Sequence, residues 1–248
     1  MNAPAAGHAL RILSHLATRV EPVAAAHIAR ELGLPRSTTY HLLTVLIEHG
    51  YVIHYADDQR YGLGLAAYEL SSGFQRQTPL QRLARPIVQR LVDTTTHNAH
   101  LVVLQGRDVL YVIEERAPGR PRLITDVGVR LPAATTASGL AILAALSKSH
   151  VRALFPTATA LPAGAFETVA DLRRELAAVR ERGHAVESGS VTAGLSSVAV
   201  AVRDGSGQPV AAVAVTLPTE QASGAERRAL AARVTAAAVA LEGRLGRS

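Results

Sequence analysis

Through the first fifty residues apolar side chains return every third or fourth position, whereas past residue 97 they come in short alternating runs. The first pattern predicts helices and the second strands. Leu10, Leu13 and Leu16, with Ile12 beside them, give Gly7 to Ala17 a helical period. A second helix, "VAAAHIAREL", is rich in good helix formers, follows Pro22 and stops at Gly33. Pro35 opens a third helix that runs to His49 and halts at Gly50. "YVIHY", "ADDQ" and "RYGLG" then read as strand, turn and return strand, a two-stranded wing. "GLAAYELSSGFQRQ", residues 64–77, predicts a linker helix, and Thr78-Pro79 marks a boundary.

The remainder has an α+β pattern. "PLQRLARPIVQRLVDTT" is an amphipathic helix, and "AHLVVLQGRDVLYVIEER" predicts two strands around a Gly-Arg-Asp turn. "RLITDV" predicts another strand, "TASGLAILAAL" and "VADLRRELAAVRERG" predict helices, and "GAERRALAARVTAAAVALEGRL" predicts a closing helix. "SSVAVAVRDGSGQPVAAVAVTLP" predicts a hairpin. Such an order implies a mostly antiparallel sheet flanked by helices. Three segments result: a helical, winged head at 1–63, a linker helix at 64–77 and a larger α+β domain at 78–248.

The closely spaced helices of the head have the geometry of a helix-turn-helix. Ala29 supplies the small residue at the crossing, and Gly33, four positions on, tolerates the positive φ of the turn. On a helical wheel Thr39, Leu42, Leu43 and Leu46 share one arc, with Ile47 at its edge. Ser37, Tyr40, His41 and Thr44 occupy the opposite arc, a face of hydroxyls, phenol and imidazole suited to base edges and phosphates. Arg36 at the helix start and the helix N-terminus itself suit a phosphate. Gln59 and Arg60, at the wing tip, complete the candidate DNA surface. A solvated trihelical bundle is the bland alternative. The combination of Ala-x-x-x-Gly, a Pro-started helix, an outer face free of large aliphatics and a wing favours DNA.

Alternation along the hairpin puts Val198, Val200 and Val202 on one face with Val213, Val215 and Leu217. The other face carries Ser197, Ala199, Ala201, Ala212, Ala214 and Thr216, all small. That face either admits a helix very closely or leaves a cavity. Thr136, Ser138 and Gly139 begin a helix whose first-turn N–H groups could hold an anion.

Composition narrows the function classes. A 48% hydrophobic content excludes wholesale disorder, and the absence of cysteine excludes disulfides and thiolate metal sites. No signal peptide or membrane-length apolar run is evident, so the expectation is a soluble cytoplasmic chain without a membrane partner. The formal net charge is +6, yet up to Gln77 six Arg stand against six Asp or Glu, so the excess lies beyond Thr78. Charge therefore cannot carry a nucleic-acid assignment for the head; geometry must. Lys148 is the single lysine, which fits a coding bias toward Arg. His97 and His100 are three apart but lack a nearby third ligand, so hydrogen-bonded structural roles are expected and no metal site. His100 shares a strand face with Val102 and Leu104 and could reach a pocket.

The competing class is an enzyme acting on a small organic acid or amide, its N-terminal helices serving only for docking. Ser138 lies in Ala-Ser-Gly-Leu-Ala rather than a nucleophile elbow, and "GSGQP" precedes a strand rather than a helix. No catalytic residue and no cofactor is expected. A DNA-packaging protein would leave the larger second half unexplained.

"LSHLATRVEPVAAAHIARELGLPRSTTYHLLTVLIEHGYV" resembles the winged helix-turn-helix of IclR-type transcriptional regulators. "GVRLPAATTASGLAILAAL" and "RGHAVESGSVTAGLSSVAVAVRDGSGQPVAAVAVTLP" resemble two signature regions of that family's effector domain. The resemblance covers nearly the whole chain in order. It implies a bacterial regulator with a DNA-reading head, a dimerising linker helix and a GAF-like sensor, assembled as a homodimer or homotetramer on double-stranded operator DNA. A repressor is the expected mode. Carried over by position, the effector-lining residues are Ala137, Ser138, Gly139, Glu187, Leu195, Ser197, Ala214 and Thr216, with Leu123 added as an apolar wall. The chain departs from the pattern twice. "ESGS" keeps only Glu187 where the family often has a run of acids, and Leu140 replaces a frequent basic residue. Both departures leave the effector's charge open between a small organic acid, aromatic ones included, and an amide.

Overall fold

The computed structural model describes residues 3–70, 79–120 and 125–246, and divides into two compact units, Met1–Thr78 and Pro79–Ser248. In the first unit α1 (Pro4–Ala17), α2 (Ala25–Leu32) and α3 (Arg36–Glu48) enclose a core of Ile12, Leu16, Ile28, Leu42, Leu43 and Leu46. Gly33 adopts φ 63° after α2, and the next amide, of Leu34, reaches back to the Ala29 carbonyl at 2.9 Å. These bonds close the helix end with a left-handed cap, which turns the chain sharply into α3. Arg11 of α1 donates to the Leu32 carbonyl at 2.6 Å, satisfying another terminal acceptor of α2.

The wing has three strands rather than the expected two. β1 (Val23–Ala24) pairs with β3 (Arg60–Leu63), which pairs with β2 (Val52–Tyr55). Val23 and Ala24, read from the sequence as the start of the second helix, are extended. Helix propensity at these two residues yields to the backbone hydrogen bonds offered by β3. A short helix, α4, occupies residues 65–70, and the remaining residues 71–77 of the expected linker lie outside the described residues.

The second unit is a six-stranded antiparallel sheet in the order β6-β5-β4-β9-β8-β7. Its strands are β4 (Asn98–Gln105), β5 (Asp108–Glu115), β6 (Arg130–Pro132), β7 (Ala185–Ser188), β8 (Leu195–Arg203) and β9 (Pro209–Pro218). The strand expected over "RLITDV" is displaced. Residues 121–124 are outside the described residues, Asp126 to Val129 form a turn around Gly128 (φ 91°), and pairing with β5 starts at Arg130.

Helices α5 (Pro79–Thr95) and α9 (Gly224–Leu245) cover the valine face, burying Val198, Val202, Val213, Val215 and Leu217. Helices α6 (Ala137–Ala145) and α8 (Val169–Arg182) cover the opposite face over Ala199, Ala212 and Ala214. A further short helix, α7 (Lys148–Leu154), joins this layer. Among the described residues no helix is long and apolar enough to cross a membrane.

The small face of the hairpin explains the tightness of this layer. All of α6 from Ala137 to Ala144 is buried, and a Cβ added to Gly139 would overlap the Ala133 carbonyl and its Cα. These are backbone atoms that cannot swing aside. Gly139→Ala should therefore destabilise the second unit by roughly 2–4 kcal/mol, as overpacking against fixed backbone does. Chemical denaturation followed by circular dichroism checks this, and wild-type stability would refute the close approach.

Candidate functional site

Two surfaces concentrate the expected residues, one in each unit. In the first, Thr39, Leu42, Leu43 and Leu46 face the core, while Arg36, Ser37, Tyr40, His41 and Thr44 are exposed along the other side of α3. Half of Tyr40's surface is open. The N-cap of α3 is Pro35, which has no side-chain oxygen to occupy the first-turn N–H groups, and no acid stands in that turn. The end of the helix is thus left electropositive beside Arg36. Thr44 donates its hydroxyl back to the Tyr40 carbonyl at 3.0 Å, which leaves its acceptor lone pairs and methyl outward.

The wing-tip residues are exposed but locally engaged. Gln59 sits at φ 51° and donates to the Ala56 carbonyl at 2.8 Å. Arg60 donates to the Pro22 carbonyl at 3.3 Å and lies 3.9 Å from Glu21. Behind the wing, Tyr61 stacks on His54, and burial first, then the proximity of Tyr40, raises its pKa.

In the second unit a narrow cavity of about 390 Å³, open mouth included, lies between the small face of the sheet and the first turn of α6. Of the expected effector residues, Ala137, Ser138, Glu187, Leu195, Ser197, Ala214 and Thr216 line it. Gly139 does not; it packs against Ala133, and its amide donates to the N-cap hydroxyl of Thr136 at 2.9 Å. Leu123 lies outside the described residues.

Register assembles the polar wall. Glu187 of β7 stands opposite Ser197 of β8, which stands opposite Thr216 of β9. Ser197 Oγ donates to Glu187 Oε1 at 3.0 Å and lies 3.0 Å from Thr216 Oγ1. The Ser190 amide donates to Glu187 Oε2 at 3.1 Å. Burial raises the pKa of Glu187, opposed by these hydrogen bonds. No Arg or Lys lines the cavity among the described residues, so Glu187 is its one formally charged side chain at neutral pH.

The wall also contains His100 and Thr136, which the sequence reading named for a pocket and for the helix start but kept outside the candidate set, and Tyr111, Thr125, Val191 and Thr192, which it did not name. His100 and Tyr111 carried a signal, since both alternate with core residues that turn to the same layer as α6. His100 bonds to the Thr125 hydroxyl at 3.2 Å and meets Tyr111 edge-on, ring centroids 5.4 Å apart. Thr136 was legible as the cap of α6. Thr125, Val191 and Thr192 sit on irregular segments where no periodicity points inward. His97 is a hydrogen-bonded partner of Arg120 at 3.0 Å.

Comparison with known proteins settles what this two-part arrangement belongs to. Residues 74–242 match the family model for the bacterial transcriptional regulator IclR C-terminal domain, and residues 5–53 match the IclR helix-turn-helix domain. The chain belongs to the IclR family. It is similar to the Pca regulon regulatory protein of Pseudomonas putida, 31% identical over 84% of this chain and 72% of that protein. It is also similar to the transcriptional repressor IclR of Escherichia coli, at 27% identity over 84% of this chain and 78% of that protein. Among solved structures, an IclR homologue from Microbacterium hydrocarbonoxydans complexed with 4-hydroxybenzoate shares the fold. Its TM-score is 0.83 at 23% identity, over 98% of this chain and all of that one, 100%. As an IclR-family member the chain is a transcriptional regulator with a DNA-binding helix-turn-helix, and not an enzyme.

His100 gives the cavity a pH signature. Complete burial, aided by Arg116, lowers its pKa to about 4 from the usual 6.5. Folding therefore excludes a proton that the unfolded chain binds below 6.5. The resulting stability is fully present above that value and is lost as pH falls toward about 4. The loss amounts to about 3 kcal/mol. Glu187, its pKa raised, acts in the other direction: its contribution is present below 4.5 and lost as pH rises through its folded value. Thermal melts of wild type and His100→Gln between pH 7 and pH 4 should show a shallower decline in the variant. Parallel curves would mean that His100 does not stay neutral in the fold.

Proposed function

We propose that this IclR-family regulator is a repressor whose operator binding is controlled by a small organic molecule held in the cavity between α6 and the β7–β8–β9 edge of the sheet. The observation that carries the reading is the hydrogen-bonded row Glu187–Ser197–Thr216 facing the first turn of α6 across an enclosed space. A carboxylate or amide oxygen would rest on the first-turn N–H groups of α6 and the hydroxyl of Ser138. A hydroxyl or N–H at the ligand's other end would donate to Glu187. With no cation among the described residues of the wall, the ligand is a monoacid bearing a donor group, or an amide, rather than a polyanion. The 4-hydroxybenzoate complex of the Microbacterium homologue has this pairing of acid and hydroxyl, and curated relatives named as repressors support the mode of control.

On the DNA side, two heads in a homodimer would present α3 to successive major grooves, so the operator is expected to be nearly palindromic. The residues proposed to contact it are Arg36, Ser37, Tyr40, His41 and Thr44, with Gln59 and Arg60 along the backbone. Ligand and operator each alter the other's affinity by one common factor, since the coupling is a single free energy.

The test is a thermal-shift screen of small organic acids, hydroxy-aromatic acids and amides, followed by mobility shift on the DNA upstream of the protein's own gene. Tyr40→Ala and His41→Ala should each weaken specific DNA binding by roughly tenfold, about 1–2 kcal/mol, with ligand-induced stabilisation unchanged. Ser138→Trp, which fills the cavity, and the milder Glu187→Gln should abolish or reduce that stabilisation while leaving DNA binding intact. A ligand that stabilises Ser138→Trp as well as wild type would refute the cavity assignment.

A further inference from the structure

A second cleft of the larger unit, about 760 Å³ with its mouth included, runs between α7 and α8. Helix α7 lines it with Lys148, Val151 and Arg152, spaced i, i+3, i+4. Helix α8 lines it with Arg173, Leu176, Ala177 and Arg180, spaced i, i+3, i+4, i+7. Each helix thus turns one stripe into the cleft, with cations at both ends of the stripe and apolar residues between them.

No acid lines this cleft, and among the described residues none of its four cations forms an ion pair. Of the three acids of α8, Asp171 pairs with Arg174 at 3.0 Å and Glu175 with Arg182 at 2.6 Å, and Glu181, next to Arg180 in sequence, does not line the cleft. Arg180 donates through Nε to the Ala144 carbonyl at 2.6 Å, a bond that fixes the guanidinium and leaves its terminal nitrogens for a partner. Like charges one helical turn apart, as at Lys148 and Arg152, cost stability unless an anion compensates them.

We propose that this cleft binds a small phosphorylated metabolite with two or more negative charges, its phosphoryl oxygens held by the Arg forks and its apolar part laid on Val151, Leu176 and Ala177. Guanidinium groups pair bidentately with phosphate, and Lys148 adds a point charge. The positive stripes are only about 6 Å long on α7 and about 10 Å on α8 at 1.5 Å rise per residue, a small molecule's dimension and too short for a nucleic-acid track. A second copy of the chain seated with the two-fold axis through the cleft is disfavoured as occupant, because it would face one unpaired cation cluster with another. The ligand class differs from that of the α6 cavity, which has no cation among its described residues, so the two sites stand or fall separately.

Isothermal titration of the full-length protein with inorganic pyrophosphate tests this. One site per chain is expected, with affinity falling as sodium chloride is raised. The double variant Arg152→Gln, Arg173→Gln should bind at least tenfold more weakly while melting no lower than wild type, since repulsion is relieved. Ser138→Trp should bind pyrophosphate unchanged. Absence of binding to wild type, or undiminished binding to the double variant, would overturn the proposal. So would binding of polyglutamate through Arg152 and Arg173 without binding of pyrophosphate, which would make the cleft a contact for an acidic protein.

Discussion

Strand register is the constraint from which the larger unit's chemistry follows. In the hairpin of β8 and β9, valines oppose valines on one face and small residues oppose small residues on the other. Because side chains alternate with period two, a slip of one residue would exchange the faces completely. The valines would meet α6 and the polar row would be driven into the α5–α9 core. The native register places Thr216, Ser197 and Glu187 in one line across three strands, so that three separate stretches of sequence become one hydrogen-bonded surface. Burying these groups is tolerable only because each is satisfied by the next.

Along the same face, side-chain volume separates packing from binding. Where the pairs are Ala199 with Ala214 and Ala201 with Ala212, α6 packs on the sheet and Ala199, Ala212 and Ala214 are buried beneath it. Toward the Ser197 and Thr216 end, the first turn of α6 stands off and a cavity remains. Close helix packing and a pocket, which the sequence offers as alternatives, are therefore both realised, at opposite ends of one strand pair. The arrangement carries a stability cost. A carboxyl group is kept in a place that raises its pKa, and a histidine is kept neutral by burial. Such costs persist where a binding function holds them in place.

The fold was legible wherever periodicity ran long. The three helices of the head, the central strands and the flanking helices of the sensor follow from patterns of eight residues or more. What was missed is short or tertiary. Val23 and Ala24 form a strand because β3 lies beside them, a fact no local propensity contains. β6 has three residues, too few to show alternation, and its position depends on the turn at Gly128. At the site, residues on regular elements were accessible to sequence reasoning, as Glu187, Ser197 and Thr216 illustrate. Those on irregular segments, Thr125 and Thr192, were not, because a loop side chain's direction is set by contacts far away in sequence. Gly139, carried over by its position in the family turn, does not line the cavity; its missing side chain leaves room for the backbone of Ala133.

Charge was the most misleading composition signal, and its distribution explains why. The head, which carries the DNA-reading geometry, is formally neutral, and the +6 excess belongs to residues beyond Thr78. A head without net charge gains little from long-range attraction, and in the contact proposed above its binding rests on the local field of the α3 N-terminus, Arg36 and a few hydroxyls. Its affinity should then depend on salt only weakly for a DNA-binding domain, in proportion to the few phosphates it neutralises. The excess on the larger unit is not spread evenly as a solubilising surface would be, with both signs interspersed. Four cations without an acid are gathered on two facing helical stripes. Dispersal of Lys148, Arg152 and Arg173 would remove the repulsion at no expense to the core, since all three are exposed, whereas Arg180 also caps the Ala144 carbonyl. Their concentration is therefore better accounted for by an anion that meets them than by packing or solubility.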